Sequence, residues 1–476
     1  MQIGTRFRCY PSKAQGQILL QWIGCQRHIY NAKVGEDRYF RSFARKSLAH
    51  TGTFAPIDQQ YSHFKTDLTS WLSEVPSQIL RNGATKWKQA YARYFQKLGG
   101  RPCIQKRHGK QSVWLTSELF NFVPKIDTTS GETTYRLHVG TKKFPVGEIV
   151  LKAHRTFRPP QSIHISIHAG RWHVSFNYDD EMIEPSEADT IAWLRQHDES
   201  ELASMTFGLD RGVVVPLVAS DGKQFAFGDI QLQRLAKQER HKKRWQRKQA
   251  RRVKGSGRWL KAKHKVARHQ LYGADVRKDF AHKTSHALVS DPHYKLFVYE
   301  ALKVKNMSAS AKGTVDEPGT NVRQKAGLNR SILGSAWGQV KLCTQYKARR
   351  AGKLCMEVLP HYSSQECGAC GHTHKDNRPI QAEFVCQRCG HADHADINAA
   401  KVLALRGVRL VLLGGYGAKK KKQVALRKSK VGAVCSEPAA EVPSPLVETL
   451  VSRQDGNIPT HRSLKRETPA TRPQGL

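Results

Sequence analysis

Four of the ten cysteines stand as two Cys-x-x-Cys pairs, Cys367 with Cys370 and Cys386 with Cys389, separated by fifteen residues. Each pair can present two thiolates from a tight turn, and Gly368, Gly371 and Gly390 supply the backbone freedom such turns need. Four thiolates fill a tetrahedral sphere and leave no position for water, so the expected ion is a structural Zn2+. His372, His374 and His391 lie nearby, but with four sulfurs present they are expected at the surface.

Three acids occupy places where carboxylates are unusual. Asp210 ends an apolar run over 205–209, Glu300 ends another over 294–299, and Asp396 opens the helical pattern that continues through Val402 and Leu403. Singly, each has a plain explanation: a strand-end acid faces solvent, and an Asp ahead of a helix caps it. Jointly they meet a chemical requirement. Hydrolysis of a phosphodiester by two Mg2+ ions about 3.5–4 Å apart needs hard oxygen ligands on rigid elements, and strand ends and a helix start are rigid. Asp393 competes with Asp396 for the third position, and periodicity does not choose between them.

The elements that must hold these groups can be read along the chain. Residues 3–10 read as a strand, Pro11-Ser12 as a turn and cap, and Leu19, Trp22, Cys25 and Ile29 recur at helical spacing. Segments 61–72 and 77–98 also read as helices, the second carrying Lys86, Lys88, Arg93 and Lys97 among Trp87, Tyr91, Tyr94 and Phe95. That mixture suits either nucleic-acid stacking or ordinary burial of an aromatic face. From 112 to 179 the period changes to two, with a hairpin expected at Ala169-Gly170-Arg171. The acidic, proline-punctuated stretch 181–201 reads as a linker. Three short apolar runs follow, over 205–210, 213–220 and 224–227, the last two joined by Asp221-Gly222. Between 231 and 270, sixteen Lys or Arg face the single acid Glu239, too great an imbalance for salt bridges to offset, which favours phosphate contact. A helix over 276–289, strands over 294–300 and 354–359, and a helix from near Asp396 complete the ordered part. Beyond Lys419-Lys-Lys-Lys422 the chain is rich in Pro, Ser and Thr, and 431–476 is expected to be disordered.

Length and charge set the outer limits. The chain has 476 residues, enough for two to four packed units. Lys plus Arg number 79 against 39 Asp plus Glu, a net +40 that calls for a polyanionic partner. Residues 1–13 contain no apolar signal core, and no stretch approaches the roughly 18 apolar residues of a membrane span. The expectation is a cytoplasmic protein of the prokaryotic cytosol or nucleoid, with no membrane partner.

The run Val385-Cys-Gln-Arg-Cys-Gly-His-Ala-Asp-His-Ala-Asp-Ile-Asn-Ala-Ala400, after Tyr362-Ser-Ser-Gln-Glu-Cys-Gly-Ala-Cys-Gly371, resembles the C-terminal signature of the TnpB family, transposon-encoded RNA-guided nucleases related to type V CRISPR effectors. Gly208-Leu-Asp-Arg-Gly212, Val298-Tyr-Glu-Ala-Leu-Lys-Val-Lys-Asn-Met307 and Ala395-Asp-Ile-Asn-Ala-Ala400 resemble the three RuvC motifs. Phe7-Arg-Cys-Tyr-Pro11, Gly24-Cys-Gln-Arg-His-Ile-Tyr-Asn31 and Leu328-Asn-Arg-Ser-Ile-Leu333 with Trp337 resemble further family blocks. The resemblance spans about residues 1–405. It implies that Asp210, Glu300 and Asp396 are the catalytic, magnesium-binding carboxylates, leaving Asp393 outside the pattern, and that the partners are a guide RNA and a target double-stranded DNA.

The fold so implied is α+β and multidomain. A β-barrel wedge domain (1–10 and 112–180) is interrupted by a helical recognition domain (11–111). A linker (181–203) leads to an RNase H-like, RuvC nuclease domain (204–362 and 393–412) with an inserted zinc ribbon (363–392), then a basic and disordered tail (413–476). Two positions depart from the family pattern: Ala301, where Asp is frequent, and Cys103-Ile-Gln105, where an aromatic and a lysine are usual. The activity implied is RNA-guided, two-metal cleavage of DNA beside a short motif. A guided DNA-binding repressor without nuclease activity and a transposase working without a guide are the other readings, and a copurifying short RNA separates the last from the first two.

Overall fold

The computed structural model describes residues 2–44, 58–107, 109–126 and 133–415. The expected basic run and tail beyond 415 lie outside the described residues.

The N-terminal half joins helices and an antiparallel sheet over one core. Strand β1 (Gln2–Tyr10) leads into α1 (Lys13–Tyr39), which Ser12 caps: Gln15 N–H donates to Ser12 Oγ at 3.2 Å and Ser12 N–H to Gln15 Oε1 at 2.8 Å. The segment expected as a helix over 61–72 is instead two 3₁₀ pieces, Ser62–Phe64 and Asp67–Glu74. Helix α2 (Ser77–Phe95) packs on α1 at Gly83, where a Cβ would sit 2.7 Å from the Gln26 carbonyl.

Strands β2 (Gln111–Thr116), β3 (Phe120–Ile126), β4 (Thr133–Gly140), β5 (Pro145–Lys152), β6 (Ser162–His168) and β7 (Arg171–Asp179) pair with β1 in the order β2-β6-β7-β1-β5-β4-β3. The turn between β6 and β7 is Ala169-Gly170, both at positive φ (48° and 78°), as a two-residue hairpin loop requires. Alternation sets the inner face: Ile163, Ile165, Val174 and Phe176 are buried with Phe7 and Cys9. Leu19, Trp22 and Ile29 of α1 and Ile79 and Leu80 of α2 share that core. The Gln26 amide fixes the contact by accepting from Trp114 N–H (2.8 Å) and donating to Trp114 O (2.9 Å).

The stretch read as a linker is folded. It forms α3 (Glu187–Leu194) and α4 (Glu199–Ser204), and Ile191, Leu194 and Leu202 enter a core with the following sheet. Its acidic residues serve the helix starts, where carboxylates are favoured: Asp198 caps α4 by accepting from Glu201 N–H at 2.8 Å.

The C-terminal half is built on a five-stranded mixed sheet in the order β10-β9-β8-β11-β12. Its strands are β8 (Thr206–Asp210), β9 (Leu217–Ala219), β10 (Gln224–Phe225), β11 (Leu296–Glu300) and β12 (Leu354–Val358). Strands β8, β11 and β12 run parallel; β9 is antiparallel to β8, and β10 is antiparallel to β9. The crossover from β8 to β11 carries α5 (Asp229–Ala250) and α6 (Gly257–Ser290), a single 34-residue helix that includes the shorter one expected over 276–289. Short α7 (Val304–Met307), α8 (Val322–Gly334) and α9 (Trp337–Arg350) connect β11 to β12. A two-stranded ribbon, β13 (Glu383–Val385) with β14 (Ala392–His394), precedes α10 (Ala395–Leu412).

Period-two alternation sorts the sheet into two faces. Phe207, Leu209, Phe297, Tyr299 and Cys355 pack with α6 and α9. Leu296, Val298, Leu354, Met356 and Val358 pack with α3, α4 and α10. Helix α10 lies directly on its face: a Cβ on Gly208 would fall 1.9 Å from the Ala400 carbonyl, and one on Gly407 would fall 2.3 Å from Val298.

Gly208→Ala therefore forces α10 off β8, a backbone clash that rotamer changes cannot relieve, and should cost roughly 1–3 kcal/mol or more. Gly24→Ala, in α1 with nothing within 4 Å of the added methyl, should gain about 0.5–1 kcal/mol. Urea denaturation of the two variants should move the midpoint in opposite directions; an unchanged midpoint for Gly208→Ala would contradict the close approach.

Candidate functional site

Strand register and alternation bring two acids together. Leu209 of β8 pairs with Tyr299 of β11, so Asp210 and Glu300 are the next residues at the C-terminal ends of adjacent parallel strands. Asp210 has the parity of Gly208 and Glu300 that of Leu296 and Val298, so both belong to the face covered by α10. Asp396 lies in the first turn of α10 on that same face. The cap is His394, whose Nδ1 accepts from Asp396 N–H at 3.3 Å, which leaves the Asp396 carboxylate free of capping. Burial, then the charges of Glu300 and Asp396, push the Asp210 carboxyl up to about 7. Asp393 is engaged elsewhere, 2.7 Å from Lys401 Nζ.

Neighbouring groups fix this arrangement. Glu300 is buried; Ser363 Oγ donates to its Oε1 at 2.9 Å, and buried Arg211 donates to its backbone carbonyl. Arg378 Nη2 lies 3.5 Å from Asp396 Oδ1. Arg406 of α10 donates to the carbonyls of Leu359 and His361, each at 2.8 Å, and pairs with Glu366, so the loop after β12 is tied to the helix that carries Asp396. Ser363, Arg378 and Arg406 went unread in the sequence because each acts as a single residue across a tertiary contact, with no spacing to reveal it. Among the described residues, the ion pairs include Asp396 but neither Asp210 nor Glu300. Three carboxylates against the guanidiniums of Arg378 and Arg211 leave a surplus of hard oxygen donors, a donor set that fits divalent cations.

The four cysteines form a tighter cluster. The sulfurs of Cys367, Cys370, Cys386 and Cys389 lie within 4.8 Å of one another. Cys367 and Cys389 are 3.8 Å apart and Cys370 and Cys386 3.6 Å. A tetrahedral ion with metal–sulfur bonds of about 2.3 Å has edges of about 3.8 Å, so the donors fit one. The two knuckles are built alike. Cys367 N–H donates to His372 O and Gly371 N–H to Cys367 O; Cys386 N–H donates to His391 O and Gly390 N–H to Cys386 O, all at 2.9–3.0 Å. Gly371 and Gly390 turn at φ of 72° and 71°. Buried Asn377 stitches the knuckles together, donating to Gln365 O and His372 O and accepting from Gln387 N–H. Buried Asn398 ties them to α10 by accepting from Gly368 N–H and donating to Glu366 O, each at 2.8 Å.

The aromatic helix α2 divides between the two roles considered for it. Trp87 and Tyr91 are buried against Tyr30 and Val34, whereas Phe95 is exposed and Tyr94 lies under Arg101 at 5.0 Å. The basic segment forms the paired helices α5 and α6, and α5 has no buried residue. Trp245 there meets Lys248 and Lys265 at 5.0 and 6.0 Å, and Trp259 meets Lys263 at 5.3 Å. Among the described residues no helix is long and apolar enough to cross a membrane.

Three family models match the chain: a Cas12f1-like TNB domain over 337–403, a "Probable transposase" over 188–311, and a helix-turn-helix domain over 1–34, where the structure has a strand and one long helix. A protein of Escherichia coli strain K12, "Putative RNA-guided DNA endonuclease InsQ", is 30% identical over 416 residues, covering 86% of this chain and 93% of its own. A Streptomyces pristinaespiralis protein of like description is 27% identical over 412 residues, covering 85% and 89%. A solved Cas12f1–sgRNA–target DNA complex aligns over 85% of this chain and 98% of its protein, at 11% identity and a TM-score of 0.48.

The raised Asp210 carboxyl sets a pH dependence in magnesium-free buffer. It holds its proton more tightly in the fold than in the unfolded chain. Its contribution to stability is therefore full below about pH 4 and lost as the pH rises through about 7. Asp210→Asn removes the repelled charge, so it should melt above the wild type at about pH 8. The gap should narrow toward about pH 5, where the wild-type carboxyl is protonated. Equal gaps at both pH values, read by thermal denaturation, would mean the group is ionised throughout.

Proposed function

The chain belongs to the TnpB family, and from that kinship we propose that it is an RNA-guided DNA endonuclease that cleaves target DNA beside a short motif, with Asp210, Glu300 and Asp396 as the catalytic carboxylates. One observation carries the assignment: three acids from β8, β11 and α10 share one face, and burial together with the charges of the other two raises Asp210. In this reading the five-stranded sheet with α6, α9 and α10 is an RNase H-like RuvC domain, and the seven-stranded sheet is the barrel wedge domain. The knuckles form a zinc ribbon.

Asp210, Glu300 and Asp396 would hold magnesium, as hard oxygen donors suited to a two-ion centre. Two such ions, when bound, supply the Lewis acidity that activates a water and stabilises the leaving oxygen of the phosphodiester. The chain supplies the positioning. Ser363 holds one oxygen of Glu300 and so selects its rotamer. Arg378, delivered by the ribbon next to Asn377, offers a guanidinium whose fork matches phosphate oxygens. The four thiolates would hold zinc in a closed, structural site that keeps Arg378 in reach. The exposed basic surface of α5 and α6 would bear on the phosphates of the guide RNA and target DNA, consistent with the net charge of +40.

Asp210→Ala, Glu300→Ala and Asp396→Ala should each remove magnesium-dependent cleavage of a plasmid matching the guide. Guided binding should stay within about threefold, because the ions serve the transition state more than docking. Wild-type cleavage without guide RNA, or cleavage by all three variants, would overturn the assignment. The double variant Cys386→Ser with Cys389→Ser should lose one zinc per chain by metal analysis and lower the melting temperature; unchanged zinc content would refute the ribbon.

A further inference from the structure

The loop from β12 to the first knuckle carries an aromatic side chain in an unusual setting. Tyr362 has φ +58°, and among the described residues it is the one aromatic in the left-handed region. A β-carbon disfavours that conformation, so surrounding bonds must impose it. They do: Gln365 and Glu366 N–H both donate to Tyr362 O at 2.9 Å, Ser363 N–H donates to Pro360 O at 3.3 Å, and Arg406 clamps the carbonyls of Leu359 and His361. Yet the ring gains nothing from this in packing, since Tyr362 remains 67% exposed. A glycine would serve the turn at lower cost, so the turn alone does not account for the side chain.

Position supplies the missing reason. The next residue, Ser363, is buried and donates to Glu300 Oε1. Tyr362 therefore stands one residue from a group that touches a site carboxylate, on the loop that leaves the C-terminal end of a parallel strand. The loop after β8, which leaves the same end of the sheet beside Asp210, exposes Val213 and Val214, and Leu359 is exposed on the Tyr362 loop itself. The two loops that leave this end of the sheet thus carry solvent-facing apolar groups. A phosphodiester brings two chemistries to such a place: an anionic group for cations at the carboxylates and flat bases on either side. An exposed ring held on a stiff turn suits the second.

On the reading of the carboxylates as a nuclease centre, we propose that Tyr362 is a stacking platform for an unpaired base of the strand whose phosphate lies at Asp210, Glu300 and Asp396. The left-handed turn fixes the ring, and Ser363 couples the turn to Glu300. The ring acts by its face, so the hydroxyl is dispensable.

The test uses the full chain with its guide RNA and three proteins: wild type, Tyr362→Phe, and Tyr362→Gly, which keeps the positive φ without strain. Steady-state cleavage of matched DNA should leave Tyr362→Phe within about twofold of wild type. Tyr362→Gly should lose roughly tenfold or more in kcat/KM, carried by KM, with an unchanged melting temperature. The same proteins are titrated with a single-stranded 2-aminopurine oligonucleotide, whose fluorescence is quenched by stacking; the quench should persist with Phe and vanish with Gly. This second readout does not require cleavage. If the wild type fails to cut but the quench follows the ring, the nuclease reading falls and the platform stands. Wild-type KM together with wild-type quench for Tyr362→Gly would overturn the platform. So would a loss confined to kcat with the quench intact, which would assign the loop to Glu300 alignment alone.

Discussion

Burial of a carboxyl beside two other acids is the constraint on which the carboxylate site depends. Asp210 ends a strand whose other four residues are buried, and burial first, then the nearness of Glu300 and Asp396, lifts its carboxyl far above the ordinary range. A chain left to relax would spread such groups apart. Here they are held by the parallel pairing of β8 with β11 and by the seating of α10 on Gly208. The loop after β12, bonded to Glu300 at one end and to Arg406 at the other, completes the frame. Main-chain packing is stiff enough to bear this cost, which is why the acids stand on strand ends and a helix start rather than on loops.

The cysteine knuckles extend the same frame. Asn377 joins the two knuckles, Asn398 joins them to α10, and Arg378 follows Asn377 to reach Asp396. An ion in the four-thiolate cluster would thus be linked through two buried asparagines to the geometry of the carboxylates, although it stands in a closed site with no chemistry of its own. On the proposed function both donor sets would be parts of one construction: soft sulfur donors holding shape and hard oxygen donors facing the substrate.

Much of the site was legible because its signals are local. Two Cys-x-x-Cys turns with glycines at the next position need only adjacent residues to be recognised, and the folded knuckles repeat one hydrogen-bond pattern. The apolar runs ending in Asp210 and Glu300 could be read as strands, but their shared face depends on register, which no single strand encodes. The choice between Asp393 and Asp396 turns on where α10 is capped, and that cap is a histidine outside the preferred set. Acidity and prolines hid the helices at 187–204, since Ile191, Leu194 and Leu202 matter only against β11, β12 and α10, all far downstream in sequence. Trp87 and Tyr91 looked available for stacking because burial of one helix face is decided by α1, not by α2 itself.

On the proposed function these three carboxylates would share a pair of divalent ions. Anomalous diffraction from crystals of the full chain grown with manganese addresses it directly. The account predicts two peaks about 3.5–4 Å apart, each within coordination distance of at least one of Asp210, Glu300 and Asp396. Manganese bound elsewhere, with these carboxylates bare, would contradict it.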